Sequence, residues 1–191
     1  MPLLIVGLVL FLGVHSVAIV SPGLRSRVIR GKGEMAWKGL YSLVSLAGFV
    51  MLCYGFGLAR QTPVILYSPP VWLRHVALLV MLPVFPLLLA AYLPGRIKTA
   101  AKHPMLAAVK FWALAHLLAN GSLADVLLFG AFLAWAVVDR ISLKRRPVLA
   151  AMRTAPQSPW NDVIAVVLGL GIYALLIVWA HSRLFGVSPL G

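Results

Sequence analysis

The sequence is poor in acidic residues, in cysteine and in polar stretches. Only four of its 191 residues are Asp or Glu, and the single cysteine is Cys53. One cysteine excludes an internal disulfide, and four acids are too few for a paired-carboxylate active site. The hydrophobic fraction is 62% and the mean hydropathy is +0.98, which excludes an ordinary soluble domain.

The chain consists instead of apolar runs separated by short connections. A membrane-spanning helix needs about 20 apolar residues, because the hydrocarbon core is roughly 30 Å thick and each residue rises about 1.5 Å. Six runs qualify, of which the fourth and fifth are short: 2–20, 36–59, 71–94, 105–120, 122–139 and 162–181. Asn120, Gly121 and Ser122 are typical of a tight turn between the fourth and fifth runs, and one long kinked helix over 105–138 is the weaker alternative. We therefore expect a single all-α domain over 1–191, a polytopic transmembrane helical bundle of about six spans.

The 17 Lys and Arg residues fall mainly in alternate connections. Fourteen lie in the first-to-second, third-to-fourth and fifth-to-sixth connections or at their edges: Arg25, Arg27, Arg30, Lys32, Lys38, Arg96, Lys98, Lys102, Lys110, Arg140, Lys144, Arg145, Arg146 and Arg153. Only Arg60, Arg74 and Arg183 remain for the opposite side. Because cytoplasmic loops carry the excess of Lys and Arg, both termini are expected on the outer, periplasmic side of a bacterial inner membrane.

The position of the cations, in loops beside the spans, also indicates which partners the chain has. Such loops contact anionic membrane lipids, so we expect lipids, and other membrane subunits, as partners, and no nucleic acid. The first run has no cationic segment before it and no small-x-small cleavage site, so it is predicted to be a retained span and not a signal peptide.

Two histidines lie inside apolar runs: His15 in LIVGLVLFLGVHSVAIV and His116 in FWALAHLLANGS. An ionisable side chain at membrane depth is costly and points to a functional site. His15 precedes Pro22 by seven residues and His116 follows Met105 by eleven. Helical rise places them about 10 Å and about 16 Å from the inner boundary. This difference of about one helical turn can be absorbed by tilt, so the depths permit a shared ligand.

Two histidines without a set of thiolates or carboxylates fit a haem better than a tetrahedral zinc. The main alternative is a pair of structural histidines bonded to serine or to backbone carbonyls. A metal-bound imidazole usually donates its other N–H to a nearby acceptor. Asn120, one turn after His116, and Asp125, at the outer end of the fifth run, are the candidates for this supporting role.

Three segments carry a resemblance to a known family: GVHS in the first run, EMAWKGLYSLVSLAGFV opening the second, and KHPM followed by ALAH in the fourth. Over nearly its whole length the chain resembles the NnrU family, named for an accessory role around nitrite and nitric-oxide reduction. The same domain occurs in the plastid zeta-carotene cis–trans isomerase, a membrane enzyme that carries haem b. The resemblance implies haem b as cofactor, with the family's axial ligands falling on His15 and His116. The isomerases have a cysteine one turn before the second histidine, where this chain has Ala113, which puts thiolate exchange and isomerase activity in doubt.

The expected function is accordingly haem-b binding, linked either to nitrite and nitric-oxide respiration or to isomerisation of a hydrophobic polyene. The alternative is a non-catalytic assembly or stabilising subunit of a membrane complex, so the sequence does not decide whether the protein is an enzyme. A transporter is a weaker hypothesis, because the chain shows no clear internal repeat.

Overall fold

A computed structural model describes residues 1–145 and 155–191. In these two ranges the regular secondary structure is helical, apart from one isolated bridge between Ile65 and Ser122. In chain order the helices are α1 (Pro2–Val20), α2 (Leu24–Lys32), α3 (Glu34–Ala59), α4 (Val71–Met81), α5 (Val84–Ala90), α6 (Arg96–Ala101), α7 (Pro104–Ala119), α8 (Leu123–Ser142), α9 (Asn161–Leu175), a π-helical turn (Leu176–Ala180) and α10 (His181–Phe185). Arg146 and Arg153, which the sequence assigns to an inner connection, lie outside the described residues.

Four stretches of the described chain are long and apolar enough to cross a membrane: Pro2–Val20, Glu34–Ala59, Val71–Ala90 and Asn161–Phe185. Pro104–Ala119 is a shorter apolar helix. α8 has 20 residues but contains Asp125, Asp139 and Arg140. The expected all-helical, membrane-type architecture is therefore confirmed, whereas six spans and outward termini stay predictions.

The chain divides into two compact units. Unit 1 comprises Met1–Tyr67 and Gly121–Ser142, and unit 2 comprises Ser68–Asn120 and Leu143–Gly191. The chain passes between the units after Tyr67, Asn120 and Ser142. At the second of these points α7 ends at Ala119 and Asn120 adopts an extended backbone (φ −133°, ψ 137°). One long helix over 105–138 is therefore wrong, and the single-domain prediction stays a prediction.

In unit 1, α1 and α3 pack with their backbones in direct contact. A Cβ atom added at Gly7 would overlap the backbone of Leu52, and one added at Gly55 would overlap the backbone of Leu4. Gly48 abuts α1 in the same way. Small residues let membrane helices approach closely, and here they bring α1 and α3 together along α1 from Leu4 to Phe11, which lies one turn before His15.

The connection after α3 packs against the start of α8, also within unit 1. The backbone N–H groups of Leu66 and Tyr67 donate to the carbonyl of Gly121 at 2.9 and 3.2 Å. The N–H of Leu123 donates to the carbonyl of Val64 at 2.8 Å. A Cβ atom at Gly121 would overlap the carbonyl of Tyr67, so only glycine fits this position.

In unit 2, Pro83 divides the third apolar run into α4 and α5. Proline has no N–H for the carbonyl four residues earlier, that of Leu79. The carbonyl of Leu79 accepts instead from the N–H of Leu82 at 3.2 Å. The carbonyl of Leu78, which a regular helix would pair with Leu82, accepts instead from the hydroxyl of Tyr173 on α9 at 2.8 Å. A side chain 95 residues away thus satisfies the backbone group that the break releases.

Two further contacts join α5 and its continuation to α9. The ring of Pro86 lies against Gly169, where a Cβ atom would overlap it. The buried Asn161 donates its amide to the carbonyls of Pro94 at 2.8 Å and Pro156 at 3.0 Å. Unit 2 is therefore held both by close packing and by side-chain hydrogen bonds to its backbone.

Candidate functional site

His15 lies on α1 of unit 1, half-buried among aromatic rings. The ring of Phe11 stacks on its imidazole with centroids 4.3 Å apart. Tyr41 of α3 lies at 5.4 Å, and Trp135 of α8 meets the imidazole edge-on at 6.1 Å. Three helices of unit 1 thus surround one imidazole with aromatic side chains.

The hydrogen bond made by His15 fixes its tautomer. Its Nδ1 lies 2.6 Å from the carbonyl oxygen of Phe11. Because a carbonyl oxygen only accepts, Nδ1 carries the proton and the neutral ring has its lone pair on Nε2. A backbone carbonyl at Nδ1–H is also the usual partner that orients a metal-bound imidazole and raises its basicity.

His116 has the same arrangement on α7, in unit 2. Its Nδ1 lies 2.8 Å from the carbonyl oxygen of Trp112, and the two rings have centroids 5.3 Å apart. For each histidine, the residue four positions earlier supplies both the carbonyl and an aromatic ring. The sequence carries this signal as Phe11-x-x-x-His15 and Trp112-x-x-x-His116.

Asn120 and Asp125 make local contacts with the backbone. The side-chain amide of Asn120 donates to the backbone carbonyl of His116 at 2.9 Å. Asp125 accepts from the hydroxyl of Ser122 at 2.6 Å and from its N–H at 3.1 Å, while the N–H of Asp125 donates back to that hydroxyl at 3.2 Å. This reciprocal pair is a capping box at the start of α8. The acceptor at Nδ1 of His116 is the carbonyl of Trp112.

Two polar atoms of unit 1 are buried without a hydrogen-bond partner in the part of the chain that the structure describes. They are Nε1 of Trp135, whose ring contacts His15, and Oγ of Ser45, one helical turn after Tyr41 on α3. A buried donor left unpaired costs about 1–3 kcal/mol. Such atoms call for an explanation, and a bound acceptor is one of the ordinary explanations.

The other histidines have different surroundings. His75 is exposed on α4, and His103 stands at the N-terminal cap of α7. His181 bonds the carbonyl of Val187 through Nδ1 at 2.7 Å near the end of the chain. Among residues 1–145 and 155–191, no group of three or more His, Cys, Asp and Glu could hold a metal ion.

A family model described as NnrU protein matches residues 3–189 of the 191-residue chain. Comparison with curated proteins finds no match, and comparison with solved structures finds none either.

Proposed function

Since this chain belongs to the NnrU family, we propose that it is a multi-pass protein of a bacterial inner membrane that binds haem b, which His15 and His116 would hold. The hydrogen bond from Nδ1 to the carbonyl four residues earlier, repeated at the two imidazoles, selects the tautomer whose Nε2 can coordinate iron, but it suits a structural histidine as well as a ligand. The observation that carries the proposal is therefore the pair of unpaired buried polar atoms in unit 1, Nε1 of Trp135 beside His15 and Oγ of Ser45.

The residues around His15 fit such a group. Nε1 of Trp135 and Oγ of Ser45 are buried donors that the described protein leaves unpaired. The propionate carboxylates of a haem are acceptors of the kind these donors require. Phe11 and Tyr41 add an apolar and aromatic environment, which excludes water and tunes the reduction potential of a bound iron.

When bound, haem b supplies an iron that takes up and returns one electron. The chain's own residues do the remaining work. The carbonyls of Phe11 and Trp112 hold the two imidazoles in one orientation and keep the proton on Nδ1. Asn120 stabilises the C-terminal end of α7 through its bond to the carbonyl of His116.

For the membrane arrangement we propose six spans with both termini outside. The asymmetry of 14 cations to three supports it. α7 and α8 serve as the two short spans in this arrangement. The charged residues of α8, Asp125, Asp139 and Arg140, all lie in its first or last turns, where they reach headgroups or water.

We propose a role in nitrite or nitric-oxide respiration in preference to polyene isomerisation. Ala113, one turn before His116, is 0% exposed and offers only a methyl group where the isomerases carry a thiol. Cys53 belongs to α3, at a different place in the sequence. Ligand exchange by a thiolate beside His116 therefore has no donor at the matching position.

The visible spectrum of the purified protein tests the proposal. Protein solubilised in mild detergent should show a Soret band, and the spectrum should be that of a low-spin haem with two imidazole ligands. His15→Ala and His116→Ala should each lose most of the haem, measured as pyridine haemochrome per protein. His75→Ala is the matched control, because it removes an exposed histidine of unit 2, and it should keep the wild-type ratio.

Two results would contradict haem binding: no Soret band after haem supplementation during expression, or full haem content in both histidine variants. A haem-free protein that co-purifies with other membrane subunits would support the non-catalytic assembly role instead.

A further inference from the structure

Unit 2 contains a shallow cavity, largely open to the outside and about 880 Å³ in volume, between the start of α6 and the segment that precedes α9. Arg96, Lys98 and Thr99 line it from α6, and Gln157 and Ser158 line it from the other side. None of these residues takes part in the arrangement around His116. The lining therefore combines two cations with hydroxyl and amide groups in a concave site.

The two cations have hydrogen-bonding capacity to spare. In the described residues the guanidinium of Arg96 makes no hydrogen bond or ion pair, and the residue is exposed. The ammonium of Lys98 donates once, to the carbonyl of Ala91 at 2.7 Å, which leaves two of its three N–H groups. An arginine offers a planar pair of donors that matches two oxygens of a phosphate, and a lysine adds a point charge.

The carboxylate beside the cavity does not cancel this charge. Asp162 accepts the backbone N–H groups of Arg96 at 2.8 Å and of Ile97 at 3.1 Å, so both of its oxygens are engaged. The same bonds occupy the N–H groups of Arg96 and Ile97, the first two of α6. The side chains of Arg96 and Lys98 therefore supply the main attraction for an anion, with one carboxylate beside them.

Aromatic residues indicate the depth of the cavity in the membrane. Trp160 follows the lining segment and is 66% exposed, and Tyr92, two residues before the lining Pro94, is 49% exposed. Exposed Trp and Tyr at the ends of spans mark the level of the headgroups. At this level the anion in highest concentration is the lipid phosphate, since the inner leaflet is rich in anionic lipids.

We propose that this cavity binds the phosphate group of an anionic phospholipid, with Arg96 contacting two of its oxygens and Lys98 a third. The hydroxyl of Ser158, whose oxygen accepts the N–H of Trp160 at 3.3 Å, still has its own proton to donate to the headgroup. The site is independent of haem: it would exist in the protein whether or not the imidazoles coordinate iron.

Native mass spectrometry of the full chain tests the site. Protein that has been delipidated and then incubated with phosphatidylglycerol should retain about one lipid at low activation energy, and protein incubated with phosphatidylcholine should not. The double variant Arg96→Gln/Lys98→Gln should lower phosphatidylglycerol occupancy about tenfold or more, because it removes charge-assisted hydrogen bonds. Arg25→Gln/Arg27→Gln is the control, since it removes two exposed cations of α2 in unit 1.

Arg96→Lys provides a second variant that keeps the charge and removes the paired donors, and its occupancy should fall between those of the wild type and the double variant. Equal retention by wild type and the double variant, or an equal loss in the α2 control, would overturn the site. Inorganic phosphate that displaces the lipid at equal concentration would overturn its assignment to a phospholipid. Haem content is read in the same spectra, so the failure of this proposal and the failure of haem binding are distinguishable.

Discussion

Unit 1 and unit 2 each hold a candidate histidine with the same local hydrogen bond, and helices pack closely at glycines in both. Unit 2 adds side-chain hydrogen bonds that satisfy its broken backbone. In unit 1 the continuous helices α1 and α3 meet at glycines, where the two backbones touch. In unit 2 the third apolar run is broken at Pro83, and side chains from distant parts of the chain satisfy the polar backbone groups near the break and beyond it.

The difference follows from the cost of polar groups in hydrocarbon. A regular helix satisfies its own backbone, so two such helices can be joined by packing alone, and small residues supply it. A broken helix releases carbonyls, which need a hydroxyl or an amide. Tyr173 and Asn161 of α9 provide these donors in unit 2. Mutations in the two units should therefore be damaging for different reasons.

The largest effect is expected from Gly55→Ala in α3. The added methyl group would overlap the backbone of Leu4, which has no rotamer to change, so α1 and α3 must move apart. We expect a loss of about 3 kcal/mol, a fall in Tm of roughly 6–12 °C. Thermal unfolding in mild detergent measures it.

Gly57→Ala is the matched control on the same helix, because a Cβ atom there meets no other atom within 4 Å. Alanine is also the better helix former, so this variant should be as stable as the wild type or slightly more stable. Equal behaviour of the two variants would show that contact between the backbones does not hold unit 1 together.

The sequence predicts much of this architecture because its strongest signals are local. The apolar runs give the positions of α1, α3 and α9 closely, and the stripe containing Gly48, Leu52 and Gly55 marks the face of α3 that packs on α1. Pro83 likewise predicts released carbonyls. Each of these signals depends on residues within a few turns of one helix.

Long-range partners could not be predicted. The bond from Tyr173 to Leu78 joins residues 95 positions apart, and nothing in the pattern of α9 indicates which hydroxyl reaches the break. The same holds for Asp162 of α9, which accepts from N–H groups at the start of α6, 65 residues earlier in the chain. At the candidate site, depth identified both histidines, and bonds to backbone carbonyls were expected under the alternative of structural histidines. Which carbonyl accepts from each Nδ1 depends on side-chain rotamers and was not predicted.

A smaller effect is expected from Tyr173→Phe in unit 2. The variant keeps the ring and leaves the carbonyl of Leu78 without the donor that the hydroxyl provides. We expect a loss of about 1 kcal/mol, because hydrogen bonds between membrane helices are individually modest. Tyr54→Phe removes a hydroxyl from an exposed tyrosine of α3 and should leave Tm unchanged. If Tyr173→Phe had the same Tm as this control, the hydrogen bond to Leu78 would not contribute to the stability of unit 2, and the contrast with unit 1 would fail.

The smallest effect is expected in the connection that follows α3 in unit 1. Its contacts with the start of α8 involve polar groups, as the contacts of unit 2 do. Burial raises the pKa of Tyr67 above its ordinary value, and the negative charge of Asp125 raises it further. The folded chain therefore holds this proton more tightly than the unfolded chain. The associated stability is fully present below the unfolded pKa of about 10 and is lost as the pH rises through the folded value.

Asp125→Asn should lower the pKa of Tyr67 and leave it above the ordinary value, because burial is the larger cause. The asparagine oxygen can still accept from Ser122, so the capping box is retained and the change isolates the charge. The pKa of Tyr67 is measured from the ultraviolet absorbance of tyrosinate as a function of pH. The curve of a matching Tyr67→Phe variant is subtracted to remove the contribution of the other tyrosines. If Asp125→Asn left the pKa unchanged, the carboxylate would act only as a cap, and unit 1 would depend on packing even at its connection.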